Sequence, residues 1–127
     1  MSKNLSRKGA KSKLDDLCRD IIWVRDKSTC RKCGIVMRRE DRQGNVHHCI
    51  PKKRGLHVRW VLDNLILFCA RCHFWWHSDP TSILWLHHDD PDACDVIKEL
   101  NQHETDNFKQ QDLLDLIEAL EKRKKYM

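Results

Sequence analysis

Apolar residues at Leu14, Leu17, Cys18, Ile21 and Val24 fall three or four apart, the spacing that lines one face of a helix. Ser12 followed by Asp15 supplies a capping-box start, and the pattern predicts a helix over roughly residues 13–26. The dozen residues before it are polar and basic and read as a loose tail. Cys30-Arg31-Lys32-Cys33-Gly34 then reads as a tight knuckle, with Gly34 supplying a permissive turn. Residues 35–37 suit a short strand, Gly44-Asn45 marks a turn, and residues 46–50 read as the returning strand. A basic loop over 51–63 leads to an apolar, strand-like run at 65–68 and a second knuckle, Cys69 to Cys72. A helical turn or two is predicted from Cys72 to His77, ending near Asp79-Pro80 because the residue before proline disfavours the helical region. Asp79 and Asp90 can each cap a helix with proline at its first position. A last helix over about 107–124 carries Leu113, Leu116, Ile117 and Leu120, with acids early and bases late, as the helix dipole favours.

Composition narrows this picture. A chain of 127 residues suits one domain with a helical extension. Its 40% hydrophobic and 34% charged content, with a mean hydropathy of −0.71, implies a small core that a metal staple would help. No apolar run approaches the ~18 residues of a membrane span, and the first residues lack the apolar stretch of a secretory signal. The seven cysteines are odd in number and four sit in two C-x2-C pairs, which favours zinc in a reducing cytoplasm over a disulfide framework.

Charge is distributed unevenly. Residues 31–71 carry ten Lys/Arg against three Asp/Glu, whereas residues 72–121 carry two against twelve. The run Lys122-Arg123-Lys124-Lys125 then restores basic charge at the end. The basic excess therefore lies on the cysteine-bearing segment, where a nucleic acid would gain from it, the plainer reading being a solvated face.

Two candidate ligand sets interleave in that segment. Zinc prefers four tetrahedral N/S ligands, and each C-x2-C turn offers two thiolates. Cys30, Cys33, Cys69 and Cys72 would form a closed structural site, and the absence of a βαβ pattern argues against a redox C-x-x-C. Cys18 and Cys94 read as buried apolar residues and Cys49 as a core-facing strand residue. His73 and His77, at i and i+4, share a helix face and can hold one metal ion, with His47 as a third ligand and positions left open. His48 would be a general base, its ordinary pKa near ~6.5 suiting water activation. Asn64 can hold the His48 segment through hydrogen bonds. Neighbouring residues on a strand point to opposite faces, so the strand must end or bulge if both histidines serve one site. Taken singly, each residue has a plainer role: a core histidine, a turn-forming asparagine, or His73 in place of a zinc cysteine. Their conjunction within the cysteine frame favours the reactive reading.

The segment Asn64-Leu65-Ile66-Leu67-Phe68-Cys69-Ala70-Arg71-Cys72-His73, preceded by His47-His48-Cys49-Ile50-Pro51, resembles the HNH endonucleases. The resemblance covers roughly residues 28–80. It implies a small α+β fold: a ββα-metal core stapled by a treble-clef-like zinc site of four cysteines, an N-terminal helix and a helical C-terminal extension. The expected organisation is a flexible basic tail over 1–12, the nuclease domain with its helix over 13–80, and an acidic helical extension over 81–127. That extension would pack on the domain, dimerise or dock a partner protein. By position the resemblance implies ligation of a catalytic Mg²⁺, Mn²⁺, Ni²⁺ or Zn²⁺ by His47, His73 and His77. It implies His48 as base and Asn64 as the residue orienting it. Many members have an acid where His47 stands and an aliphatic residue where Cys49 stands. The expected partner is DNA, bound without sequence reading or by its structure, through Lys52, Lys53, Arg54, His57, Arg59 and Arg71. Trp60, Trp75 and Trp76 read as packing residues. Compact size and basic flanks look like phage-encoded members, which would act in a bacterial host's cytoplasm. The contrasting expectation is a zinc-stabilised nucleic-acid-binding module without catalysis.

Overall fold

In the computed structural model, which describes residues 5–103 and 107–127, Ser6 rather than Ser12 opens the first helix. The Ser6 hydroxyl accepts the Gly9 N–H at 3.0 Å, and α1 runs Arg7–Arg25. Ala10, Leu14, Leu17, Cys18, Ile21 and Ile22 are buried along one stripe. Ala10 lengthens that stripe toward the N-terminus, so residues 7–12, expected as tail, are helical; residues 1–4 lie outside the described residues.

The sheet also differs from expectation. Residues 35–37 form no strand; Val36 only bridges to Thr29. Gly44 and Asn45, expected as a turn, begin β1 (Gly44–His48). The reversal comes earlier, at left-handed Arg42 (φ 56°), after a 3-10 turn over Arg39–Asp41. β1 pairs antiparallel with β2 (Leu65–Cys69), setting His48 opposite Leu65 and Gly44 opposite Cys69. β2 is apolar, its first four residues fully buried, so it forms the centre around which other elements pack. A side chain at Gly44 would meet the Trp23 ring of α1 at 2.6 Å, so glycine is needed where strand and helix touch.

Between the strands lies the basic loop, with a 3-10 turn over Lys52–Arg54 and the short helix α2 (Leu56–Arg59). β2 runs directly into α3 (Ala70–Ser78). Asp79 does not cap the next helix; its Oδ1 accepts from Thr81 N–H at 2.8 Å and Oγ1 at 2.7 Å, forming a turn before α4 (Ser82–Asp89). Asp90 does cap α5 (Pro91–Gln102), accepting from Ala93 N–H at 3.1 Å with proline at the first position.

The last helix, α6 (Gln110–Lys125), lies along α1. Leu113, Ile117 and Leu120 are buried, and ion pairs Lys124–Asp20 (2.8 Å) and Lys13–Glu121 (3.2 Å) flank the seam. At the other end of α1, buried Asp26 accepts from Leu67 N–H (3.0 Å) and Arg25 Nε (2.8 Å), while Arg25 donates to the carbonyls of Leu62 and Leu65. These charge-assisted bonds tie the helix end to β2. Among the described residues no helix is long and apolar enough to cross a membrane.

Candidate active site

The two knuckles meet. Cys30 N–H bonds Ile35 O and Gly34 N–H bonds Cys30 O, both at 2.9 Å, with Gly34 at φ 80° where the turn demands it. The second knuckle sits on the start of α3, where Cys69 Sγ accepts Cys72 N–H at 3.4 Å. The four sulfurs of Cys30, Cys33, Cys69 and Cys72 lie within 4.8 Å of one another, and those of Cys33 and Cys69 are 3.8 Å apart. Ligands about 2.3 Å from a tetrahedral zinc would stand about 3.8 Å apart, so the set fits zinc. Burial alone would raise the Cys30 thiol, but backbone N–H groups of Cys33, Cys69 and Lys32 outweigh it and bring it down to about 7. Burial and the neighbouring sulfurs push Cys72 up. Metal binding requires deprotonated sulfur, so a divalent cation would offset the crowding that disfavours the Cys72 thiolate.

The second set is separate. His47, His73 and His77 place their ligand nitrogens within 4.8 Å of one another. β1 presents His47 to the α3 face, where His73 and His77 stand one turn apart, with ring centroids 5.0 and 5.3 Å from that of His47. Phe68 and Trp76 wall the His47 ring at 5.4 and 4.9 Å. His47 is buried, and its Nε2 has no hydrogen-bond partner. A buried nitrogen without a partner is costly unless something binds it, so the site fits an ion. Burial first, then the neighbouring imidazoles, lower the His47 pKa to about 3, keeping its lone pair free. Burial likewise lowers His73.

His48, on the opposite face of β1, turns toward the loop. Its Nε2 lies 3.0 Å from the Arg59 carbonyl oxygen. A carbonyl only accepts, so Nε2 carries the proton and Nδ1 keeps the lone pair. Burial, aided by Lys52, lowers the His48 pKa despite that bond. The side-chain hydrogen bonds of Asn64 go to the backbone and not to the imidazole. Asn64 is fully buried, accepting from Ile50 N–H (2.7 Å) and donating to the carbonyls of Ile50 (3.0 Å) and Val58 (3.1 Å). Its own carbonyl accepts Cys49 N–H at 2.9 Å. Asn64 thus clamps both ends of the loop whose Arg59 carbonyl meets His48.

Both histidines line one cleft of about 500 Å³, bordered by α1 residues on one side and His73 and His77 on the other. The strand neither bulges nor breaks between them; the cleft straddles it. Lys52 lines the cleft, while Lys53 and Arg71 are exposed. Arg54 donates to Asn101 Oδ1 at 2.9 Å. Arg59 is committed elsewhere than expected: its guanidinium grips Asp15 of α1 in a fork at 3.0 and 2.6 Å, and Trp60 Nε1 donates to the same carboxylate at 2.8 Å. His57 is buried with neither ring nitrogen hydrogen-bonded, so it is not a surface phosphate contact. Cys49 is half-buried, and burial raises its thiol to about 12. Cys18 and Cys94 are buried, as their helix-face positions suggest.

Sequence reasoning missed Asp15 and Arg19, which α1 brings to the cleft. Asp15 offered one signal, a carboxylate near the apolar stripe, but the pattern assigned it to a cap.

Residues 30–78 match the family model described as HNH endonuclease. No curated protein and no solved structure matches the chain.

Proposed function

With residues 30–78 matching the HNH endonuclease family, whose members are generally nucleases, we propose that this protein is a metal-dependent DNA endonuclease. The observation that carries the reading is the buried, unpartnered His47 Nε2 converging with His73 and His77 beside a second histidine of fixed tautomer. His47, His73 and His77 would hold a divalent ion, of which imidazole ligands accept several kinds. When bound, the ion supplies Lewis-acid stabilisation of the charge gathering on the scissile phosphate and its departing 3′ oxygen.

The remaining work falls to the chain. His48 takes the proton of the attacking water at Nδ1, and its lowered pKa keeps that nitrogen unprotonated at neutral pH. The Arg59 carbonyl holds the opposite ring nitrogen, fixing tautomer and ring plane. Asn64 is a positioning residue, holding the loop through Ile50 and Val58. Lys52, Lys53 and Arg71 neutralise backbone phosphates, giving binding without base reading. The four cysteines hold zinc and keep the two knuckles together; they take no part in the chemistry.

The test is incubation of supercoiled plasmid with Mg²⁺, Mn²⁺ or Ni²⁺, followed by ligation of the products. Cleavage that needs one of these ions and leaves ends that DNA ligase reseals matches departure of the 3′ oxygen, which leaves 5′-phosphate and 3′-hydroxyl termini. DNA retention without cleavage under any ion would favour a zinc-stabilised binding module instead.

A further inference from the structure

Trp23 lines the cleft that holds His47 and His48, and it also lines a second hollow on the other side of α1's last turns. That second hollow is bordered by Lys27, Arg39 and Lys124, with Asp20 between them. Its cations come from three places distant in sequence: the turn after α1, the turn before β1, and the basic tail of α6. None of these lies within the catalytic loop, and α1 and α6 fall outside residues 30–78. Arg39 reaches one oxygen of Asp20 at 2.7 Å and Lys124 the other at 2.8 Å, so two cations share one carboxylate. Lys27 makes no ion pair among the described residues. Three positive charges against one negative leave the hollow cationic. Of the other nearby acids, Glu40 and Asp41 pair with Arg38 and Glu121 with Lys13. A third hollow that Lys27 also lines holds Asp26 and Asp90, both paired with Arg31, and Asp63.

We infer that the groove of Lys27, Arg39 and Lys124 is a second phosphate-binding segment, continuous past Trp23 with the metal cleft, which carries the DNA backbone away from the scissile bond. This rests on the nuclease reading for its substrate. It gives α6 a role in binding: the helix packs on α1 and delivers Lys124 to a surface that the acidic stretch before it would not form. Each phosphate contact adds about 0.9 to the slope of log affinity against log salt.

The test is fluorescence anisotropy of a labelled duplex against salt concentration, using full-length His48→Ala protein so that the DNA stays intact. Lys27→Gln should weaken binding and reduce the slope by about 1, and Lys27→Gln/Arg39→Gln/Lys124→Gln by two to three times as much. Lys98→Gln on α5, exposed and away from the groove, should leave the slope at the parent value. Lys27→Gln is decisive, since its amine holds no element in place. A parental slope in Lys27→Gln overturns the groove. If the otherwise unmutated protein fails to cleave yet Lys27→Gln lowers the slope, the groove stands and the nuclease reading falls. If it cleaves and the slopes are equal, the groove alone falls.

Discussion

Asp15 lies on α1, well before the first cysteine knuckle, yet it sits behind the candidate base. It grips Arg59 and Trp60, and Arg59 in turn offers its carbonyl to His48. If Arg59 serves position rather than phosphate binding, Asp15→Asn should lower kcat about tenfold with KM unchanged, since small misplacements of a base are costly. Arg59→Ala should do the same, and the double variant should lose no more than the worse single one. A fall in KM in Asp15→Asn would mean instead that a freed Arg59 binds DNA. His47 makes a second residue-scale prediction. Burial lowers its native pKa to about 3 from an ordinary value near 6.5, so between these values the unfolded chain binds a proton that the native ring refuses. Stability contributed by neutral His47 is therefore full above about pH 6.5 and is lost as pH falls toward 3. Urea midpoints at about pH 7.5 and about pH 5 should drop more in the parent than in His47→Phe, which fills the space without titrating. Burial would raise Asp15 and Asp20, but Arg59 at the first, and Lys124 with Arg39 at the second, hold them below the ordinary carboxylate value, so they act only at lower pH. At this scale spacing marked out the two groups that the fold brings together, the four cysteines and His47 with His73 and His77. Asp15 was not so marked, because its partners lie 44 and 45 residues away and no periodicity links them.

The elements show the same division. The i, i+3, i+4 stripe found α1, and Asp90 before Pro91 found the start of α5, because both signals are local. The sheet was misread because two weak strand signals flanked Gly44-Asn45, whereas β1's true partner lies across the basic loop. Burial decided it: β2 offers four fully buried apolar residues, while Ile35 and Val36 are exposed. Gly44 was read as a turn former, but it is a contact point. Gly44→Ala would push a methyl into the Trp23 ring at 2.6 Å, and overpacking of this kind costs about 1–3 kcal/mol. A lower melting temperature with shifted tryptophan fluorescence is expected; an unchanged melt would show that Trp23 moves freely aside. The docking of α6 on α1 was equally hidden. Its apolar face was legible, but not which surface would cover it.

For the whole molecule, the proposed function divides the two ligand sets between frame and chemistry. The cysteines join a knuckle before β1 to one after β2, and the histidines present their nitrogens where β1 faces α3. Cys30→Ser should lower zinc content and melting temperature together, as expected for a small core that leans on a metal. Loss of cleavage with zinc content and melting intact would mean the two sets are not separate. The central claim is that His48 acts as the base, and the most direct measurement is the plasmid cleavage rate of His48→Ala relative to the parent, at equal zinc content. The account predicts a loss of about 10²-fold or more with folding and zinc unchanged. Cleavage by His48→Ala at the parental rate would contradict it.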